Sequence, residues 1–372
     1  MSVTLALSGD IIAFYEMGEA ARSAFAVLNQ SDLSFCNLEL PLTESRRAVD
    51  KGVVIKGPPK IAQYLKDFDV DVVTIANNHL MDFGDEGLFD TMNALKDSDV
   101  DFVGAGVDLD ASFRPVIKEV NGKKIGFLGI ATTLANSASA GEHRPGVAPV
   151  RVLTKIVIDP VTMQEFPGSS PFVETEMVED DMVRVEQEVA RLAQMVDHVV
   201  VGVHWGILYG WRATFQEELA DYQSELAHRL VDAGAKVVVG NHPHYPQGIE
   251  VYKGCPIFYS LGLFNMHHPD LHGDGDSAKL LRAFPPYKFS VLLSAPITQF
   301  NFTAVVEWDD NGSLASCALI PFHLDKSGES LPASADEAEH LLAHLQAGSE
   351  QFGTSISRDA NAGREQYSVA LS

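Results

Sequence analysis

The sequence predicts an α/β fold whose strands deliver ligand residues at their carboxyl ends. Three observations carry this. Short β-branched runs, Val72-Val73-Thr74-Ile75 and Val237-Val238-Val239, stop abruptly at Asn or Gly, as buried strands do. Strand-like and helix-like segments alternate along the chain. Histidines stand just past the runs, at His79 and at His242-Pro243-His244, where an α/β sheet lines its ligand crevice.

The elements follow in order. Val3 to Leu7, Leu33 to Cys36, Val70 to Ile75 and Asp101 to Val103 read as strands. Pro58-Pro59 opens a helix that keeps Ile61, Leu65 and Phe68 on one face, and Leu88, Met92 and Leu95 stripe the next. Arg114 to Val120 and Lys124 to Ile130 flank Asn121-Gly122, a pair suited to a two-residue hairpin turn. Residues 132–172, rich in Gly, Pro, Ser and Ala, read as a loop insertion. Val178, Met182, Val185, Val189, Leu192 and Val196 recur at helical spacing before the strand His198 to Val203. Leu219, Tyr222, Leu226 and Leu230 mark a helix ending near Gly234, before the strand Lys236 to Val239.

A hairpin, Ile249 to Tyr252 with Pro256 to Tyr259, and the strands Phe289 to Ser294, Phe302 to Trp308 and Leu314 to Phe322 imply a second sheet. Residues 1–325 are read as one domain. Residues 326–372 hold a helix, about Ala335 to Leu345, and a polar tail expected to be disordered.

At 372 residues the chain can bury a core without staples, and Cys36, Cys255 and Cys317 lack the spacing of a disulfide framework or a zinc ribbon. The net charge of −24 opposes binding to nucleic acid or anionic membrane. Met1 leads directly into a strand-like run, and no apolar stretch approaches membrane-spanning length, so a soluble cytoplasmic protein with no membrane anchor is expected. Against the global charge, Arg46, Arg47, Lys51, Lys56 and Lys60 form a basic run. A solvated loop is the plainer reading of it.

Chemistry is suggested where strands end. Gly9-Asp10, Asn37-Leu38-Glu39, Asn77-Asn78-His79, His204-Trp205-Gly206 and Gly240 to His244 all follow predicted strands. A lone Asp there caps a helix and a lone His satisfies a core hydrogen bond. Five such ends together suggest metal. Carboxylate and imidazole ligands suit Mn, Fe or Zn better than Mg or Ca.

These residues resemble a family. Leu7-Ser8-Gly9-Asp10, Cys36-Asn37-Leu38-Glu39, Ala76-Asn77-Asn78-His79, Asp82-Phe83-Gly84, Gly104-Ala105-Gly106, His204-Trp205-Gly206, His242-Pro243-His244 and Phe258-Tyr259-Ser260-Leu261-Gly262 are similar to the ordered motifs of the capsule-synthesis CapA family, related to calcineurin-like metallophosphoesterases. The resemblance spans about residues 3 to 325. It implies a four-layer αββα sandwich, metallo-dependent phosphatase-like, with two divalent metal ions at the strand ends. It also implies Asp10, Glu39, Asn78, His204, His242 and His244 as ligands, His79 as the catalytic residue, and Asp82 as the partner that orients it. Asn37, Arg46, Arg47, Lys56, Arg144 and Trp205 are the candidates for substrate contact.

The sequence departs from the pattern in three places. Asp10-Ile11-Ile12 lacks the histidine that metallophosphoesterases carry two residues after the first aspartate, as in the CapA branch generally. Leu208 replaces a frequent Glu, and Leu263 a frequent Asn. The implied activity is hydrolysis of a small anionic substrate, a phosphoester first. Cleavage of a γ-glutamyl-type amide or a lactone, or a non-catalytic accessory role in polyglutamate or capsule synthesis, are the alternatives.

Overall fold

The apolar runs pair into two sheets. The computed structural model describes residues 2–18, 22, 24–51, 53–169, 171–206, 219–267, 299–359 and 362–371. In it β1 (Val3–Ile12), β2 (Leu33–Leu38), β3 (Val72–Thr74) and β4 (Asp101–Val103) run parallel and adjacent. A short strand, β5 (Ala105–Gly106), follows. The Asn121-Gly122 turn, both residues at positive φ, joins β6 (Val116–Val120) to β7 (Lys123–Ala131) as an antiparallel hairpin.

Residues 132–172 differ from the expected loop. They hold β8 (Gly146–Val147), which pairs with β5, then β9 (Val152–Val157) and a short helix, Pro160–Glu165, capped by Asp159. β9 pairs antiparallel with β10 (Phe172–Met177) to make a ribbon. Val152, Thr154 and Ile156 have strand propensity, but most side chains of β9 and β10 face water, so the buried alternation that marks a strand is missing.

Beyond the helix Glu179–Ala193, β11 (His198–His204) lies parallel between β7 and β12 (Val237–Asn241). β13 (Ile249–Tyr252) and β14 (Cys255–Phe258) form the second hairpin and complete the second sheet, in the order β13-β14-β12-β11-β7-β6. β15 (Leu263–Met266) pairs with the end of β1. β16 (Phe300–Trp308) and β17 (Leu314–Leu324) extend the first sheet on its other side, with β18 (Ser330–Pro332) paired to β17. The expected strand at 289–294 lies outside the described residues.

The tail departs from expectation. After the helix Ala335–Ser349, with its Ser334/Glu337 capping box, β19 (Ile356–Arg358) and β20 (Tyr367–Val369) add to β17, burying Ile356, Tyr367 and Val369.

Three apolar layers make the molecule a four-layer αββα sandwich. Leu5, Leu7, Phe35 and Phe302 of the first sheet meet Phe127, Val200, Val239 and Phe258 of the second in the centre. The opposite face of the first sheet packs under Ile61–Asp67 and Gly84–Asp97, through Leu65, Leu88 and Leu95. The opposite face of the second packs under Glu179–Ala193 and Asp221–Ala233, through Val185, Leu192, Leu226 and Leu230. No helix among the described residues is long and apolar enough to cross a membrane.

Candidate metal centre

The carboxyl ends of β1, β2, β11 and β12 and the turn after β3 meet at one place. Asp10 ends the straight part of β1, where the register shifts between Asp10 and Ile11. Gly9 permits this, since a Cβ there would stand 2.0 Å from the carbonyl oxygen of Gly262, to which the Asp10 N–H donates at 3.0 Å. Asp10 is fully buried. Its Oδ1 accepts from Asn37 Nδ2 at 2.7 Å, and its Oδ2 lies 3.1 Å from His244 Nδ1 and accepts from the His242 N–H at 3.2 Å.

Two ligand clusters share Glu39. Glu39, His204 and His242 form one, and Asp10, Glu39 and His244 the other. Glu39 Oε1 is 3.5 Å from His204 Nε2 and 3.7 Å from His244 Nε2. Asn78 joins the first cluster, its Oδ1 2.8 Å from His204 Nε2, while His242 Nδ1 lies 3.0 Å from the same nitrogen. The structure thus brings together Asp10, Glu39, Asn78, His204, His242 and His244.

Two conformations hold the histidines there. His242 and His244 take φ of +99° and +54°, an uncommon region for side chains larger than Gly. A residue before proline is expected in extended backbone, and His242 is not, so the His-Pro-His turn is strained at its first member. Gly240 is needed nearby. A Cβ on it would meet Tyr259 O at 2.1 Å and Trp205 Nε1 at 2.4 Å.

The donor set fits divalent cations. Glu39 is fully buried, and neither of its carboxylate oxygens has a hydrogen-bond partner. Burial, reinforced by the charge of Asp10, pushes its carboxyl well above the usual range, although His244 opposes this. Burial also works against charge on His244, but the Glu39 and Asp10 carboxylates outweigh it and raise the imidazole to about 9. Burial drives His204 down to about 3 and His242 well below its ordinary value, so both are neutral nitrogen donors near pH 7. Burial would raise Asp10 too, yet the hydrogen bond and charge of His244 hold it below the ordinary carboxylate range. Carboxylates and imidazoles, with His204 and His242 neutral and His244 free to exchange its proton for a metal ion, are the ligand chemistry of Mn, Fe or Zn.

Beside the clusters stands His79. Its Nδ1 lies 2.7 Å from Asp82 Oδ2, and Asn77 Oδ1 accepts from the N–H groups of His79 and Leu80, fixing the turn. Burial outweighs Asp82 and pushes His79 down to about 4, leaving a neutral ring at pH 7. Lys51 is a site residue that sequence reasoning left in the basic run. Its Nζ donates to Asp82 Oδ1 at 2.6 Å and to Asn78 O at 2.5 Å, and lies 3.4 Å from His79 Nδ1.

Other expected substrate contacts are placed differently. Asn37 is fully buried and spends its amide on Asp10, His204 and Asn77, so it orients ligands. Trp205 is buried in the outer layer, donating to Tyr259 O at 2.7 Å and stacked on that ring. Arg47 is exposed and bound to Glu86 at 2.7 Å. Lys56 donates to Ser45 O and lies over the Phe83 ring, and Lys60 pairs with Glu16. Arg46 is exposed, Arg144 lines a separate cleft, and Leu208 lies outside the described residues. Asn77 and Lys51 carried local signals, an Asn ending a strand and a cation following Glu39. Only the fold shows that both converge on His79.

Comparisons with known proteins agree with the motif series. Residues 4–267 match the model of the bacterial capsule synthesis protein family PGA_cap. The chain is 32% identical over 241 residues to the PGA biosynthesis protein CapA of Bacillus subtilis, covering 64% of this chain and 54% of that protein. It is 29% identical over 259 residues to the capsule biosynthesis protein CapA of Bacillus anthracis, covering 68% and 55%. It is 32% identical over 246 residues to a protein of Mycobacterium tuberculosis named "Probable polyglutamine synthesis accessory protein", covering 64% and 57%. The chain therefore spans little more than half the length of these relatives. With the family's motifs in order and the match running through both sheets, the chain belongs to the bacterial capsule synthesis protein family PGA_cap.

Proposed function

We propose that this chain is a metal-dependent hydrolase of a small anionic substrate, with a phosphoester as the favoured bond. The observation that carries the reading is Glu39. As an anion, a fully buried carboxylate with neither oxygen hydrogen-bonded is costly by several kcal/mol, and Glu39 is shared by two imidazole-bearing clusters where divalent ions would offset that cost more fully than His244 alone. Asp10, Glu39 and His244 would hold one divalent ion, and Glu39, Asn78, His204 and His242 the other. Such a pair would supply positive charge for the attacked group and make water at the site more acidic.

The chain's own residues do the rest. Asn37 fixes the Asp10 carboxylate, and Asn77 fixes the turn that carries Asn78 and His79. Asp82 holds Nδ1 of His79, so Nε2 is the atom that would handle a proton or steady the departing oxygen. Lys51 places positive charge beside this pair and would favour an anionic substrate.

A second reading is an accessory, non-catalytic role in polyglutamate or capsule synthesis, favoured by the words "accessory protein" in the name of the Mycobacterium tuberculosis relative. The test is metal-loaded protein assayed on p-nitrophenyl phosphate and on γ-glutamyl-p-nitroanilide, beside Glu39→Gln. Phosphoester cleavage lost in Glu39→Gln supports the proposal. Cleavage of the anilide alone moves the bond to an amide. Bound metal with neither reaction favours the accessory role.

A further inference from the structure

A cleft of about 380 Å³ opens at the same end of the sandwich as the metal centre. Its walls come from segments that follow β4 and β7 and from the start of the helix Glu179–Ala193. β4 is the neighbour of β3, and β7 the neighbour of β11, so the cleft lies one strand further along each sheet than the ligand clusters. A smaller hollow of about 60 Å³ shares Asn136, Ser139 and Arg151 with it and reaches Ala131 and Thr132. Ala131 is the strand partner of His204, and the Thr132 N–H donates to His204 O at 2.9 Å. The hollow thus borders the two residues whose backbone meets that of His204.

Three arginines line the cleft, and they are not equivalent. Arg151 is committed, binding both oxygens of Asp181 through Nε and Nη2. Arg184 gives Nη2 to Asp110 and lies over the Phe113 ring, yet its Nε is buried with no acceptor. Arg144 turns Nε and Nη2 onto Ser139 O and makes no ion pair with a carboxylate among the described residues. Asp181 and Asp110 pair with two of the three, and Asp180 acts on Arg151 as well, so Arg144 is the guanidinium of the cleft without a carboxylate partner among the described residues. An arginine without a carboxylate partner on a cleft that two further guanidinium groups line asks for an oxyanion, since the planar fork matches carboxylate and phosphate alike.

We propose that this cleft is a subsite for a second anionic group, carboxylate or phosphate, on the molecule whose reacting bond lies at the metal centre. The inference rests on the hydrolytic reading of that centre for what the ligand is, but binding in the cleft requires no metal.

Titration calorimetry of the full chain tests it, as purified and after chelation, with inorganic phosphate in one arm and glutarate in the other. Saturable binding that survives chelation is expected, weakened about tenfold by Arg144→Gln, unchanged by Asp10→Asn and reduced in high salt. The tighter of the two probes identifies the natural group as phosphate or carboxylate. Arg184→Lys, which keeps the charge and removes the planar guanidinium from the cleft wall, should weaken binding without loss of fold by circular dichroism. Absence of saturable binding by either probe, or equal affinity in wild type and Arg144→Gln, overturns the subsite. Binding that behaves as expected in a protein without hydrolytic activity would instead sink the hydrolase reading and leave the subsite standing.

Discussion

Nζ of Lys51 lies 2.6 Å from Oδ1 of Asp82, while the other oxygen of that carboxylate lies 2.7 Å from Nδ1 of His79. One carboxylate therefore ties the basic loop after β2 to the histidine turn after β3. The Val49 N–H donates to Asp82 O at 2.9 Å and the Ile55 N–H to Asp82 Oδ2 at 2.9 Å, so the loop is fastened on both sides of Lys51. His79→Asn should keep its metal and lose about 10²- to 10⁴-fold in turnover, the usual worth of a proton-handling side chain. Elemental analysis beside kcat checks this, and loss of metal would make His79 a ligand.

Lys51, rather than the exposed arginines, should set the affinity for anions. Lys51→Met should raise KM for an anionic substrate severalfold. Arg46→Ala combined with Arg47→Ala should move KM less than about twofold and leave stability nearly unchanged, because exposed ion pairs such as Arg47–Glu86 contribute little. A large KM change in the arginine variant at low ionic strength would restore the arginines as substrate contacts.

Asn37 should act on metal through Asp10. Asn37→Ala removes the 2.7 Å bond to Asp10 Oδ1 and should weaken metal affinity by about 10- to 100-fold, with Asp10→Asn weaker still. Competition with a fluorescent chelator measures both. Equal affinity in Asn37→Ala and wild type would deny the orienting role.

His198 gives a pH signature away from the centre. Its ring is buried against Trp308 at 4.3 Å, neither nitrogen has a hydrogen-bond partner, and burial pushes it down to about 4, with Lys123 and Lys236 adding to the effect and Asp197 opposing it. The folded value is below the ordinary 6.5, so folding favours the neutral ring. That contribution is complete above pH 6.5 and is lost as pH falls toward 4. The stability difference between wild type and His198→Phe, from urea unfolding, should therefore change between those pH values and stay level above them. A difference independent of pH would contradict the assignment.

Gly9→Ala should destabilise by about 1–3 kcal/mol or more, since its Cβ would meet the Gly262 carbonyl, a backbone atom that cannot step aside. Thermal unfolding reads this directly. An unchanged Tm would mean that β1 and β15 separate more easily than their hydrogen bond indicates.

Much of this fold was legible where burial imposes a period. Val72 to Thr74 and Val237 to Val239 are buried strands, and Val185, Val189 and Leu192 are the buried stripe of one helix. The ribbon β9–β10 was not legible, because Leu153, Ile156 and Phe172 are exposed and their strands bury no continuous face. The tail strands were hidden by brevity, since three residues in β19 and three in β20 are too few to show alternation. Ligand residues were visible as a series of strand ends. What Asn37, Trp205 and Lys51 do was invisible, because it depends on partners 27 or more residues away, at Asp10, Tyr259 and Asp82.

The most direct test is the metal content of Glu39→Gln. Glu39 belongs to both ligand clusters, so wild-type protein equilibrated with Mn, Fe or Zn should bind two ions per chain, and Glu39→Gln, with its fold intact by circular dichroism, should lose most of both. Wild-type protein that binds no divalent metal above background, or a Glu39→Gln variant with undiminished content, would contradict the account.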